Sequence, residues 1–194
     1  ATDPCSTSGI AVNHVISIDD LLQDVSPDAP CGLDLEYDPE FVAMEQAARG
    51  REEQQFGDSV LEAEGPDWGA VKKQALARFT RTHDLRVAVY LARALTVTDG
   101  LVGHRDGLCL VRELIARRWD QMHPLLDPDD DDPLMRTNTL LNLCGPDTLL
   151  GELREVEQLR ARGLGRFTFR DSQVADGKLP PAEHGEAPSL GDIE

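Results

Sequence analysis

The chain has 194 residues, 40% of them apolar and 5% aromatic, and a formal charge of −17 at pH 7. This length suits one domain, with a real core built mostly from Leu, Val and Ala. So negative a charge argues against nucleic acid or an anionic membrane surface as partner, because both require clustered Lys and Arg.

Basic charge starts only at Arg49, after ten acidic residues. That front reads as a solvated arm, with a surface for a basic partner as the less favoured reading. Cys5, Cys31, Cys109 and Cys144 show no CxxC pairing and no zinc spacing to His. Cys109 and Cys144 lie in apolar helical surroundings and are expected to be buried small hydrophobes. No apolar run is long enough to span a bilayer, and the N-terminus lacks the regions of a signal peptide. A cytoplasmic location is expected, without membrane insertion.

In chain order, "ISIDDLLQDV" reads as a short helix stopped by Pro27 and Pro30. "DPEFVAMEQAARG" reads as a helix capped by Asp38, with Pro39 at its first position and Gly50 as its stop. Phe41 fits a staple to this helix or a partner-binding edge. Residues 51–66, broken by Gly57, Gly65 and Pro66, are expected to form a loop or an irregular excursion. From Asp67 the helical period returns, with Trp68, Val71, Ala75 and Phe79 on one stripe.

"DLRVAVYLARALTVTD" is the most apolar stretch and reads as a central helix ended by Gly100. Asp84 and Arg86 at its start are given structural roles. The next helix is expected to turn Leu108, Val111, Ile115 and Trp119 inward, with Gly103 and Gly107 allowing a close helix approach. Trp68 and Trp119 are read as core anchors. "PLMRTNTLLNLCG" and "PDTLLGELREVEQLRARG" are both read as helical. "GRFTFRD" alternates as a strand would, but a lone strand here is expected to be no more than an extended segment. Residues 176–194 have the composition of a linker, expected to lead toward a further C-terminal region.

The run Asp127–Asp132 holds five aspartates in six positions. As a calcium loop it fails: Asp132 stands where Gly is needed, and Asn138 where a bidentate Glu belongs. The plainer reading is a helix start, with Asp132 as cap and Pro133 in the first turn. His83, His104 and His123 form no metal pair, and there is no nucleophile elbow or phosphate loop. Cys31 has no basic neighbour in sequence that would activate it. No catalysis, metal or cofactor is expected. Two rival readings are a metal-dependent hydrolase using the Asp127–Asp132 run with His123, and an acidic decoy of a nucleic-acid-binding protein.

Five stretches together carry a resemblance: "SPDAPCGLDLEYDPEF", "PDWGAVKKQALARF", "DLRVAVYLARAL", "RRWDQMHPLLDPDDDDPLMRTNTLLNL" and "GRFTFRD". In this order the chain resembles the N-terminal ImpA-related domain of the TssA family of bacterial type VI secretion systems, over roughly residues 17–175. It departs from the usual pattern at "GELREVEQLRARGLG", where more charge is expected on the last helix.

The resemblance implies an all-α domain, an irregular bundle of about seven helices with long loops. Residues 1–16 are a flexible N-terminal segment in this reading, and the tail is a disordered linker. It implies a non-catalytic assembly factor that helps baseplate recruitment and growth of tube and sheath. The partners implied are baseplate, sheath or tube proteins, with self-association through the full-length protein as a further option. The aspartate run becomes a structural signature between two helices. The contact patches favoured are Cys31, Gly32, Asp34, Glu36 and Tyr37, and the acidic stretch Asp127, Asp129, Asp130 and Asp131.

Overall fold

The computed structural model describes residues 13–51, 54–56, 59–61, 63–127, 129–161 and 165–180. Within them seven helices and two small hairpins follow in the order α1 (Ile18–Leu21), α2 (Pro39–Arg49), β1 (Gln54–Phe56), β2 (Ser59–Leu61), α3 (Trp68–Phe79), α4 (Leu85–Arg118), α5 (Leu134–Leu141), α6 (Leu149–Arg154), β3 (Glu157–Ala161), β4 (Gly165–Thr168) and α7 (Phe169–Ala175). The domain is mostly helical rather than all-α.

Helix starts follow local chemistry. Asp38 accepts from Glu40 N with Pro39 in the first turn of α2, and Asp67 accepts from Ala70 N at the start of α3. Gly50 closes α2 at φ 70°, where a side chain would be strained. The α3 stripe reads true for Val71, Ala75 and Phe79, which are buried, while Trp68 only packs against the core from its edge.

α4 is two antiparallel arms. It breaks at Gly100 (φ 66°, ψ −147°), and the chain folds back on itself. A Cβ at Gly103 would lie 2.1 Å from Leu95 O, and one at Gly107 would lie 2.6 Å from Ala92 Cα. The two glycines thus set how closely the arms approach, as their spacing suggests. Leu85, Val87, Ala88, Leu91, Leu95, Leu110 and Leu114 fill the seam and form the centre of the core. The inward stripe of the second arm is shifted from the expected one. Val111 is buried, but Leu108 and Trp119 are more than a third exposed, because Gly107 rather than Leu108 faces the first arm.

Several expectations fail in the irregular parts. Residues 51–66 include the antiparallel pair β1–β2. The helix expected through residue 163 stops at Arg154, and Glu157–Ala161 pairs antiparallel with Gly165–Thr168. "GRFT" is therefore one strand of a hairpin, while the following "FRD" opens α7 behind a Thr168–Asp171 capping box. Cys144 is exposed rather than buried, whereas Cys109 is buried and disulfide-bonded.

Ahead of α1 the chain is held against α4. Val15 N donates to Asp106 Oδ2 at 2.7 Å, and the His14 ring meets Asp106 Oδ1 at 3.0 Å. Burial would raise the Asp106 pKa, but the Val15 amide, Arg105 and His14 outweigh it, and the carboxyl titrates below its ordinary range. Residues 181–194 of the expected linker lie outside the described residues.

Candidate interaction surface

The sequence stretches that stand out meet at one junction. His83 N donates to Cys31 O at 2.8 Å, His123 N donates to His83 O at 3.0 Å, and Leu85 N donates to His123 O at 2.8 Å. Gly32 sits against this ladder at φ 70°, and a Cβ there would fall 2.1 Å from Arg81 O. "CGLDLE", "THDLR" and "QMHP" are thereby stitched together by backbone bonds, beside a cis His123–Pro124 peptide.

Arg86 ties the same junction from the side-chain layer. Its Nε donates to Asp84 Oδ1 at 3.0 Å, and its terminal nitrogens reach Asp34 at 3.0 Å and Glu36 at 2.9 Å. Its guanidinium lies 5.1 Å from the centre of the Phe41 ring. Burial alone would lower the Arg86 pKa, but the hydrogen bonds and charge of Asp84, with Glu36 and Asp34, raise it instead. Asp84 also caps α4 through Arg86 N. The structural roles expected for Asp84 and Arg86 have this geometry.

Arg93 and Arg136 repeat the arrangement. Arg93 lies 4.8 Å from the centre of Trp68 and bonds Glu152 of α6. Arg136, 1% exposed, lies 4.6 Å from Trp119 and donates to Trp119 O, Met122 O and Pro124 O at 2.6–2.9 Å. Trp119 is thus a half-exposed platform for an arginine, not a core anchor. Nothing in the sequence marked Arg136, because its partners are main-chain carbonyls supplied by the end of α4. A cleft of about 250 Å³ lies between Arg86, Tyr90, Arg93 and Asn138, but both guanidiniums there already hold carboxylates.

The two expected contact patches differ in accessibility. In the first, Cys31 is buried and burial pushes its thiol pKa up, so it offers no contact. Gly32 is wedged against Arg81 O, and Asp34 and Glu36 are engaged by Arg86. Tyr37, 90% exposed, and Leu33 are what that loop presents outward. In the second, Asp129, Asp130, Asp131 and Asp132 are exposed. Asp127 accepts from Asp129 N, and Asp130 from Asp132 N, so the run is folded by its own backbone.

Asp131 takes φ 58°, a conformation that Asp tolerates better than most residues. The α5 cap falls one residue later than expected. Pro133 occupies the cap position without a side-chain bond, while Asp132 accepts from Leu134 N at 2.9 Å. No group of three or more His, Cys, Asp or Glu among the described residues could hold a metal ion. His123 is directed at Gly32 O, 3.2 Å away, and its acidic neighbour is Asp34.

Beyond the aspartates, α5 carries an apolar face. Arg136 points inward, and Leu140 and Leu143 pack from the edge of the core. Leu134, Met135 and Leu141 are 54–59% exposed, and Leu125 in the preceding loop is 57% exposed.

A model of the ImpA N-terminal region of the type VI secretion system matches residues 22–145, which include the whole junction, Arg136 and the aspartate run. The chain belongs to the ImpA N-terminal family. It is also 46% identical over 158 residues to type VI secretion system component TssA1 of Pseudomonas aeruginosa, an alignment covering 81% of this chain and 46% of that protein. The chain therefore corresponds to less than half the length of this curated relative. Its fold is similar to that of the N-terminal domain, including the conserved ImpA_N region, of the TssA component from Burkholderia cenocepacia. That likeness has a TM-score of 0.69 at 31% identity, covering 91% of this chain and 68% of the other. No helix among the described residues is long and apolar enough to cross a membrane.

Proposed function

We propose that this domain is a non-catalytic adaptor of a bacterial type VI secretion system, acting in the cytoplasm through protein–protein contacts. In this reading it spans roughly residues 17–175, with residues 176–194 as a linker. It helps bring baseplate components together and supports growth of the tail tube and sheath. The observation that carries this reading is the family match over the junction itself. Backbone bonds at this junction hold three segments together, and Arg86 there is engaged by Asp84, Asp34 and Glu36. Contacts are then left to the outward-facing Tyr37 loop and to α5 with its acidic border.

The test is binding of the purified chain to the baseplate, sheath and tube proteins of its own secretion cluster, each produced separately. Retention of at least one of them at moderate salt is the expected result. Failure of every component to bind the chain, with the chain shown to be folded, would contradict the adaptor reading.

A further inference from the structure

We infer that the outward face of α5 docks a basic amphipathic helix of a partner protein, with Leu125, Leu134, Met135 and Leu141 as the apolar seat and the Asp127–Asp132 run as its charged border. This inference rests on the reading of the domain as a contact module and names the chemistry of what it contacts.

The argument begins with what holds α5. Its inward side is anchored by Arg136 through three carbonyls, with Leu140 packing at the edge of the core. Leu134, Met135 and Leu141 are left facing outward. Leu134 and Leu141 are seven residues apart and share a stripe, with Met135 beside it, and all three are more than half exposed. Leu125 follows Pro124, whose carbonyl Arg136 binds, so the loop is fixed to the same helix. An outward row of apolar anchors at helical spacing is the usual seat for a partner helix with its own apolar stripe.

Charge selects the occupant. The carboxylates of Asp127, Asp130 and Asp132 accept from backbone amides, and none of Asp127, Asp129, Asp130, Asp131 or Asp132 forms an ion pair among the described residues. By contrast, Asp34 and Glu36 in the other exposed loop are both engaged by Arg86. A partner bringing Lys or Arg beside its apolar stripe would complement this border. A second copy of the chain meeting this face through a two-fold axis would place two acidic runs against each other, which disfavours a self-interface.

The test uses the ¹⁵N-labelled chain and two synthetic 14-residue helical peptides, with leucines at heptad spacing and either lysine or glutamate elsewhere. The Leu/Lys peptide should shift amides within residues 125–141, with affinity falling as salt rises, while the Leu/Glu peptide should not bind. Leu134→Ser combined with Leu141→Ser should weaken binding at least tenfold without changing the melting temperature appreciably. Asp129→Asn, Asp130→Asn and Asp131→Asn together should weaken binding and flatten its salt dependence.

Equal binding of both peptides, shifts centred elsewhere, or unchanged affinity in either variant would overturn the inference. So would a dimer of the unliganded chain, seen by sedimentation, that the two serine substitutions dissolve. Because the readout uses purified protein and a peptide, its failure leaves the binding test of the adaptor role intact and separately decidable.

Discussion

Arg136 and Arg86 show how one residue type supports the domain in two ways. Arg136 satisfies the carbonyls of Trp119, Met122 and Pro124 where α4 ends. Replacing it with Met would leave those acceptors without their donor, each costing about 1–3 kcal/mol if it stays dry. Arg136→Met is expected to lose at least about 3 kcal/mol in urea unfolding, with faster amide exchange across residues 119–136. Unchanged stability would mean that water replaces the guanidinium.

His83 offers a pH test at the same scale. Its ring is fully buried, 6.2 Å from that of Phe79, and burial, helped by the nearby Arg118 charge, lowers its pKa below the ordinary 6.5. The unfolded chain then takes up a proton near pH 6.5 that the folded chain refuses. The contribution is fully present above that pH and is lost as pH falls toward the folded value. His83→Phe should flatten the fall in stability between pH 6.5 and 5, measured by urea midpoints. At this scale the sequence was informative for Asp38, whose capping bond is local. It was silent on Arg136 and misplaced Cys31 on a contact surface, because the surroundings of both are assembled from distant segments.

Elements divide along the same line. The approach of the two α4 arms was legible, because glycines four apart on a helix leave a groove that only another backbone fills. Gly107→Ala should cost about 1–3 kcal/mol by overpacking against Ala92. Gly69→Ala in α3 should be neutral or stabilising by up to about 1 kcal/mol, since a Cβ there meets nothing nearer than Asp67 Oδ1 at 3.4 Å. Thermal melts of the two variants decide the comparison, and equal losses would contradict it.

The β3–β4 hairpin was not legible. "ELREVEQLRAR" is rich in helix-forming residues, and the strand pairing that overrides this preference is made with residues 165–168, beyond a turn. The exposed face of α5 was missed for a related reason. The stretch reads only as helical, because nothing local says that an arginine takes the inward position.

For the whole molecule, the charge of −17 is distributed unevenly between carboxylates that hold the fold and carboxylates that face solvent. Asp34, Asp84, Asp106 and Glu152 pair with arginines, while the aspartate run carries its charge into water. Removing three of those solvent-facing charges, as in the Asp129, Asp130 and Asp131 triple Asn variant, is expected to leave folding stability within about 0.5 kcal/mol per site. A larger loss in chemical unfolding would make the run a fold element rather than a border.

In the proposed role, this domain serves secretion through its outward surface. The most direct measurement is the number of assembled sheaths per cell, by fluorescence microscopy, in a strain whose full-length protein carries Leu134→Ser and Leu141→Ser at normal abundance. A several-fold loss of sheaths is expected although the domain remains folded. Sheath numbers equal to those of the parent strain would contradict it.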